Sequence, residues 1–258
     1  MEFLTRVALC VGQKVFAIMP PVLTDRVALV TGASRGIGAA TARALAKAGA
    51  HVVAVARTVG GLEELDDAIR AAGGSATLVP LDLKDLEGIA RLGATLNERY
   101  QRLDILVGNA GTLGPLSPLG HVEPKAWDEV MTVNITANWQ LIRCMDPLLK
   151  LSSAGRAVFV GTGVQARAYW GPYAVSKAAL DMLVRVYAAE TKTTAIRANV
   201  FNPGRTRTRM RAQALPGEDP ESLPSPEGAA DAIVELCSPE LAVSGGFYDF
   251  PSRSWRAD

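Results

Sequence analysis

The sequence predicts an α/β protein with one doubly wound domain, in which a mostly parallel sheet is flanked by helices. Short apolar runs alternate with helix-length periodic segments along most of the 258 residues, which is typical of repeated β-α units. Runs such as Val27–Val30 and Asp104–Val107 are largely apolar on both faces, as expected for strands covered by helices on each side. No Pro-, Gly- or Ser-rich linker and no internal repeat divides the chain, which favours a single domain.

The first 22 residues are assigned to an extension outside the fold. This stretch is mildly apolar but is interrupted by Arg6, Gln13 and Lys14, and Met19 directly precedes the organised region. A weak targeting peptide is the alternative interpretation. The domain is then expected to cover residues 23–258.

The elements follow in order from the two periodicities. Six strands are predicted at Arg26–Thr31, His51–Ala56, Ala76–Pro80, Leu103–Asn109, Arg156–Thr162 and Ala195–Asn202. Five helices are predicted between them, at Ile37–Ala48, Leu62–Ala72, Asp85–Tyr100, Pro124–Leu149 and Tyr173–Thr193. Right-handed crossovers between parallel strands are the expected connections.

Residues 215–226 break this alternation. They contain four prolines and several acidic residues, and they follow four arginines at positions 205, 207, 209 and 211. Such a composition predicts a surface excursion rather than a packed element. Two interpretations stay open: a lid over the site at about residues 205–226, or a solvated loop. The arginines fit either an anionic substrate group or solvent, and helical spacing, which points them to different sides, favours solvent.

Composition and charge exclude several functions. The formal net charge of +1 gives no reason to expect a nucleic acid or an anionic membrane as partner,. Cys10, Cys144 and Cys237 form no CxxC pair, and two histidines are too few for a His-rich metal site, so we predict no disulfide framework, no metal and a reducing cytoplasm. No apolar run reaches the ~18 residues that a membrane-spanning helix needs.

A glycine-rich turn follows the first predicted strand. Thr31–Gly38 reads TGASRGIG, with the spacing GxxxGxG. Its glycines allow the backbone to turn sharply and approach a pyrophosphate, and the following helix presents free N–H groups and the positive end of its dipole. The strand–turn–helix context therefore indicates a dinucleotide site.

Tyr173 and Lys177 stand four residues apart in a predicted helix. That spacing places both side chains on one face of the helix. An ammonium at ~5 Å favours the phenolate by about 3 kcal/mol at an effective dielectric constant of ~20, which is expected to lower the pKa of Tyr173. The pair alone is also compatible with an exposed surface pair.

Four motifs in order give the chain a resemblance to the short-chain dehydrogenase/reductase family, from about Leu23 to Gly204. They are the turn Thr31–Gly38, the NAG motif Asn109–Gly111, the YxxxK motif of Tyr173 and Lys177, and the PG turn Pro203–Gly204. The resemblance implies a Rossmann-type fold and a nicotinamide-dependent oxidoreductase. It also implies a homodimer or homotetramer that pairs through the helices predicted at Pro124–Leu149 and Tyr173–Thr193.

The resemblance also implies which residues contact the cofactor. Asp82 is expected to meet the adenine ring, Asn109 to support the pocket and Lys177 to hold the ribose hydroxyls of the nicotinamide half. The full expected set is Gly32, Ser34, Arg35, Gly36, Ile37, Gly38, Arg57, Asp82, Leu83, Asn109, Ala110, Gly111, Tyr173, Lys177, Pro203, Gly204 and Thr206.

The end of the second predicted strand bears on the choice between NADP(H) and NAD(H). An NAD site places a carboxylate there for the ribose 2′-hydroxyl, whereas this chain has Arg57 and no acidic residue until Glu63. Arg57 and Arg35 suit a 2′-phosphate, unless both are simply exposed. The sequence favours NADP(H), with NAD(H) as the alternative.

By resemblance the catalytic group is Asn134, Thr162, Tyr173 and Lys177. Thr162 stands where the family usually has a serine, about two residues nearer to the tyrosine in sequence than is usual. Threonine keeps the hydroxyl donor but its methyl restricts χ1. If it cannot reach the substrate oxygen, one transition-state hydrogen bond worth ~3 kcal/mol is lost.

The implied reaction is hydride transfer between C4 of NADPH and the carbonyl carbon of a ketone, or its reversal on a secondary alcohol. Tyr173 would give the proton to the oxygen, and Lys177 would lower the pKa of Tyr173. Asn134 would return a proton through water bound to its main-chain carbonyl. Tyr169 and Trp170 are either an aromatic wall for the substrate or plain packing. A cofactor-binding scaffold or redox sensor without turnover is the main alternative function, and an epimerase or dehydratase is a third.

Overall fold

The computed structural model describes residues 22–164 and 166–256. The interpretation of residues 1–21 therefore lies outside the described residues. The strands and helices follow the predicted β-α order up to residue 202. The segments after residue 202 add the last strands of the sheet and part of the wall of a cavity.

One eight-stranded sheet organises the chain, with the strand order β3-β2-β1-β4-β5-β6-β7-β8. The pairings from β3 to β7 are parallel, and β8 is antiparallel to β7. The strands are β1 Val27–Thr31, β2 His51–Ala56, β3 Ser75–Pro80, β4 Ile105–Gly108, β5 Arg156–Val160, β6 Arg197–Asn202, β7 Phe247–Asp249 and β8 Ser254–Trp255. The predicted fold class, one doubly wound and mostly parallel α/β domain, is confirmed.

Helices connect and cover these strands. They are α1 Gly36–Lys47, α2 Val59–Ala71, α3 Leu86–Tyr100, α4 Pro124–Met131, α5 Ala137–Leu149, α6 Gly171–Glu190, α7 Arg209–Ala214 and α8 Pro226–Leu236. Short 3₁₀ turns lie at Leu119–His121 and Pro220–Ser222. Asp85 begins α3 by accepting a hydrogen bond from the Gly88 N–H, as expected of an N-cap carboxylate.

The core forms two layers because neighbouring strand residues point to opposite faces. Leu29 of β1 packs with buried residues of α3, α5 and α6. Its neighbours Ala28 and Val30 pack instead with α1, α2 and α8. The central strands are therefore apolar on both faces for the reason that the sequence indicated.

The predicted helix Pro124–Leu149 is interrupted by a π-helical turn at Thr132–Thr136. Within it the Ala137 N–H bonds to the Thr132 carbonyl, five residues earlier. The sequence contains no signal for this turn, since its residues fit the helical periodicity on either side. Such single turns are frequent at functional sites.

The segment after β6 is more ordered than the sequence predicts. Ala214 and Leu223 are buried, and three of the four arginines form ion pairs with Glu218 or Glu221. The segment therefore contains packed residues beside its exposed ones, and the two interpretations of residues 205–226, a lid or a solvated loop, stay predictions. The polar composition of this segment predicts exposure to solvent. In the structure its arginines and glutamates pair with one another, which allows the segment to pack.

Two features are absent from residues 22–164 and 166–256. No helix there is long and apolar enough to cross a lipid bilayer. Within the same residues, no group of three or more His, Cys, Asp or Glu side chains is arranged to hold a metal ion.

Candidate active site

A cavity of about 1120 Å³ runs along the carboxyl ends of the parallel strands. It lies where β1 has β2 on one side and β4 on the other, which is the switch point at which open α/β sheets bind ligands. Of the residues that the sequence predicts to contact a cofactor, all but Gly38 line this cavity. Thr162, Tyr173 and Lys177 line it too, whereas Asn134 does not.

The turn between β1 and α1 forms one wall of the cavity and needs its glycines. Gly32 has φ +65°, and a Cβ there would lie 2.8 Å from the Asn109 Nδ2 atom. A Cβ on Gly38 would lie 2.2 Å from the Gly32 carbonyl oxygen. Gly38 therefore stands behind the wall, where it allows helix α1 to approach the strand.

Polar bonds hold the NAG motif against this turn. The Asn109 side chain donates to the Thr31 carbonyl at 2.9 Å, and the Thr31 hydroxyl accepts from the Asn109 N–H at 3.0 Å. The first turn of α1 contains no acidic residue, and no side chain caps it. Open glycine backbone, an uncapped helix N-terminus and a hydrogen-bonded frame fit a dinucleotide phosphate.

Two exposed arginines lie at the cavity end formed by β2. Arg57 follows β2 and pairs with Asp82 at 3.8 Å, and Arg35 lies in the glycine-rich turn. The Arg57 side chain is 61% exposed, so its guanidinium remains open to a ligand. No carboxylate follows β2 directly, since Thr58 is the next residue.

Tyr173 is buried at the other end of the cavity, near the start of α6. Burial raises the pKa of Tyr173, and the nearby Thr162 side chain opposes that rise. The expectation that Lys177 lowers the pKa of this phenol overall is therefore wrong for the free protein. The Lys177 Nζ atom is 6.0 Å from the centre of the phenol ring, and burial dominates the shift in the pKa of Tyr173,.

Lys177 is itself buried, with 6% of its surface exposed. Its Nζ donates to the Val160 carbonyl oxygen at 2.7 Å. Burial lowers the pKa of Lys177 to about 8. An ammonium has three donors, so this bond leaves further donors for groups that enter the cavity.

Asn134 lies in the π-helical turn, fully buried behind the cavity wall. Its side chain accepts from the Thr112 N–H at 2.8 Å and donates to the Ser176 hydroxyl at 2.9 Å. Ser176 in turn donates to the Tyr173 carbonyl at 2.8 Å. Asn134 thus joins the turn to the loop after β4 and to the helix that carries Tyr173 and Lys177.

Comparison with known proteins gives this site a family. Residues 26–219 match the short chain dehydrogenase family, a span that includes the glycine-rich turn, Tyr173 and Lys177. The chain belongs to the short-chain dehydrogenase family of oxidoreductases.

Individual relatives agree with this assignment. The oxidoreductase YciK of Escherichia coli (strain K12) is 40% identical over 209 residues, which are 79% of this chain and 82% of the relative. The rhamnolipids biosynthesis 3-oxoacyl-(acyl-carrier-protein) reductase of Pseudomonas aeruginosa is 39% identical over 240 residues, covering 86% and 90% of the two chains. The crystal structure of a short chain dehydrogenase from Escherichia coli CFT073 complexed with NADPH superposes with a TM-score of 0.82, at 36% identity over 90% of this chain and 99% of the other.

In this short-chain dehydrogenase an apolar cluster surrounds Tyr173, and the sequence indicated only part of it. Trp170 is buried and meets the tyrosine ring edge-on, with centroids 5.9 Å apart, whereas Tyr169 is 61% exposed. Leu113 from the loop after β4 and Met210 from α7 complete the cluster. They were missed because loop and late-helix residues carry no periodic signal.

Asn202, at the end of β6, is a second residue that the motifs did not indicate. Its side-chain oxygen accepts from the Gly163 N–H at 2.9 Å and from the Gly204 N–H at 3.1 Å. It therefore ties the loop that carries Thr162 to the PG turn. A buried polar residue immediately before that turn was the available signal.

Proposed function

We propose that this protein is an NADP(H)-dependent reductase of ketones, which also runs in reverse on secondary alcohols. The observation that carries the proposal is that Tyr173, Lys177 and Thr162 line one end of a cavity whose other end is a dinucleotide-type turn. The Thr162 side chain lies close enough to Tyr173 to oppose the rise in its pKa, which supports a role for Thr162 despite its short spacing to Tyr173. No observation on the described residues favours the scaffold or sensor alternative.

The residues that would hold the dinucleotide are those of the cavity wall. The turn at Gly32–Gly38 and the N–H groups of α1 suit the pyrophosphate, Asp82 and Leu83 suit the adenine, and Lys177 suits ribose hydroxyls. A bound nicotinamide supplies or accepts the hydride. Pro203, Gly204 and Thr206 lie along the same wall, and Thr206 keeps its hydroxyl on the Pro203 carbonyl at 3.1 Å.

NADP(H) is favoured over NAD(H) by the charges after β2. Arg57 and Arg35 offer two guanidinium groups to a 2′-phosphate, and Asp82 partly balances Arg57 at 3.8 Å. The NADPH complex of the related Escherichia coli CFT073 structure supports the same choice. The preference predicts tighter binding of NADPH than of NADH.

The protons in this proposal move through the chain's own groups. Tyr173 donates its hydroxyl proton to the substrate oxygen, and Thr162 donates a hydrogen bond that steadies that oxygen. Lys177, whose pKa is about 8, is poised to release a proton toward Tyr173 near neutral pH, and its remaining donors would hold the ribose hydroxyls of a bound cofactor. Water on the Asn134 carbonyl would connect Lys177 with solvent.

Two further proposals concern the surroundings of the site. Residues 205–226 act as a lid, since Met210 and Ala214 of α7 line the cavity near Tyr173. The chain forms homo-oligomers through α5 and α6, which expose Trp139, Met182 and Val186 at 45%, 61% and 48%. Exposed apolar side chains of this kind mark association surfaces.

The function is tested with Tyr173→Phe, which removes the proton donor and keeps the ring. NADPH oxidation is followed with a panel of ketones, aldehydes and quinones, and NADPH and NADH binding is followed by fluorescence. We expect turnover to fall to background in the variant, while NADPH still binds with nearly wild-type affinity and more tightly than NADH. Wild-type turnover in Tyr173→Phe would refute the assignment.

A further inference from the structure

Asn138, in the first turn of α5, is a buried polar residue that the catalytic motifs do not include. It is 1% exposed, and its Nδ2 atom donates to the main-chain carbonyl oxygen of Asn134 at 2.8 Å. Its Oδ1 atom is buried and has no hydrogen-bond partner. Burying an amide whose oxygen has no hydrogen-bond partner costs free energy. An asparagine at this position therefore needs a reason beyond helix propensity.

The unpartnered oxygen faces the end of β4. A Cβ on Gly108 would lie 2.8 Å from Asn138 Oδ1, so this oxygen packs closely against the Gly108 backbone. The amide thus bridges β4 and the carbonyl of the π-helical turn. Its orientation follows from the contact, since an oxygen facing the Asn134 carbonyl would repel it.

The carbonyl that Asn138 holds belongs to the residue that organises the site. Asn134 reaches Thr112 and Ser176 through its side chain. A Cβ on Gly111 would lie 3.3 Å from Asn134 Oδ1 and 3.5 Å from Lys177 Nζ, so both groups flank one glycine. A return of the π-helical turn to regular α-helix would rotate Asn134 about the helix axis and break these contacts.

We propose that Asn138 is a positioning residue, which holds the Asn134 carbonyl and the π-helical turn in the orientation that proton delivery to Lys177 and Tyr173 requires. This inference rests on the proposed function. One lone pair of the Asn134 carbonyl accepts from Asn138, which leaves the second for a water molecule. The hydrogen bond from Asn138 fixes the orientation of the Asn134 carbonyl, and with it the direction from which a water molecule can donate to that carbonyl.

The test compares Asn138→Leu, which removes the donor at similar volume, with Asn138→Thr, whose hydroxyl donates to the same carbonyl four residues back. Asn138→Ala replaces the leucine variant if that variant does not fold. Thr191→Val is the matched control, because Thr191 is buried and also donates to the carbonyl four residues back, at 2.8 Å, but lies outside the cavity wall.

The kinetic measurement uses NADPH and the ketone that the wild type reduces fastest in the panel. We expect Asn138→Leu to lower kcat by about tenfold or more, within the range of a proton-transfer contribution, with little change in the KM for NADPH. The alkaline limb of the kcat profile should move to lower pH, because Lys177 loses an acceptor for its proton. Asn138→Thr should restore most of the rate, and Thr191→Val should keep the wild-type profile.

Hydrogen exchange provides a measurement that does not depend on turnover. The Thr112 N–H, which bonds to Asn134, should exchange faster in Asn138→Leu than in the wild type or Thr191→Val. Unchanged exchange at Thr112 and an unchanged pH profile would overturn the inference and leave Asn138 as a packing residue. If the wild type reduces no ketone in the panel, the proposed function fails. Hydrogen exchange at the Thr112 N–H then decides by itself whether Asn138 positions Asn134: faster exchange in Asn138→Leu supports this role, and unchanged exchange refutes it.

Discussion

At the residue scale, the site depends on polar groups that are buried without carboxylate partners. Lys177 donates to the Val160 carbonyl, and Tyr173 lines the cavity together with Thr162. Burial moves the two pKa values in opposite directions, upward for the phenol and downward for the amine, because each change favours the neutral form. The free protein therefore holds an un-ionised proton donor beside an amine that is ready to lose its proton.

Thr162 gives the first prediction at this scale. We expect Thr162→Ala to lower kcat about a hundredfold, which corresponds to the ~3 kcal/mol of one hydrogen bond made in the transition state. Thr162→Ser keeps the hydroxyl and should retain most of the activity. Steady-state kinetics measures both, with NADPH binding by fluorescence as the control. Equal rates for the alanine and serine variants would show that this hydroxyl does not contact the reacting oxygen.

Lys177 makes stability depend on pH. Its pKa is about 8 in the folded chain, against an ordinary value of 10.5. Between these values the unfolded chain binds more protons than the folded chain, so this group makes the free energy of unfolding rise with pH there. Below pH 8 the buried charge of Lys177 lowers the free energy of unfolding by its full amount, roughly 3 kcal/mol.

Lys177→Met removes this penalty. We expect the variant to be more stable than the wild type at pH 7 in the absence of cofactor, by roughly 3 kcal/mol. The difference in the free energy of unfolding between the variant and the wild type should decrease as the pH rises toward 10.5, the ordinary pKa of lysine. Urea unfolding at several pH values measures it. A gap that stays constant over this range would contradict a buried, protonated lysine.

At the element scale, the segment after β6 supplies what the motifs leave out. Helix α7 brings Met210 and Ala214 to the cluster around Tyr173. Ion pairs brace the segment, since Arg211 contacts both carboxylate oxygens of Glu218 at 2.5 and 2.7 Å and Arg205 approaches the same group at 3.6 Å. The Arg211 hydrogen bonds hold the pKa of Glu218 below its usual range. The proposed lid is thus held by contacts within itself.

Glu218→Gln tests this bracing. The substitution keeps the shape but removes the charge that Arg205 and Arg211 share, so we expect residues 209–223 to exchange amide hydrogens faster, with the effect diminishing at high salt. Hydrogen-exchange mass spectrometry measures it. Glu221→Gln is the control, since its pair with Arg207 at 2.7 Å involves a carboxylate that is 81% exposed. Equal effects of the two variants would argue against Glu218 as the brace.

At the scale of the whole molecule, apolar side chains remain exposed on the outer faces of α5 and α6. Trp139 lies on α5, and Val175, Met182 and Val186 lie on α6, where they are 41–61% exposed. The π-helical turn and Asn134 connect these same helices to the site. Oligomer formation would therefore support the helix that carries Tyr173 and Lys177.

Met182→Glu is expected to weaken this association. A carboxylate in a desolvated apolar contact is unfavourable, so the variant should elute as a single chain where the wild type elutes as a dimer or tetramer. Size-exclusion chromatography with light scattering gives the masses. Leu151→Glu is the control because Leu151 is equally exposed, at 62%, but follows α5. A wild type that is already a single chain would refute the proposed oligomer.

The sequence by itself determined the β-α order up to residue 202, the fold class and the positions of the four motifs. These follow from local periodicity and glycine spacing, which act between residues close in the chain. It did not indicate α7, α8, β7 or β8, because the stability of these elements comes largely from pairing and packing with distant residues.

Only the tertiary structure decided the finer chemistry of the site. The effect of Thr162 on the pKa of Tyr173, the desolvation of Lys177 and the hydrogen bond from Asn138 to Asn134 each depend on how elements pack against one another. The spacing of residues along the sequence determines neither how deeply a side chain is buried nor which distant residue it contacts. For that reason the motifs predicted residues that line the cavity, whereas their protonation and support could not be predicted from the sequence.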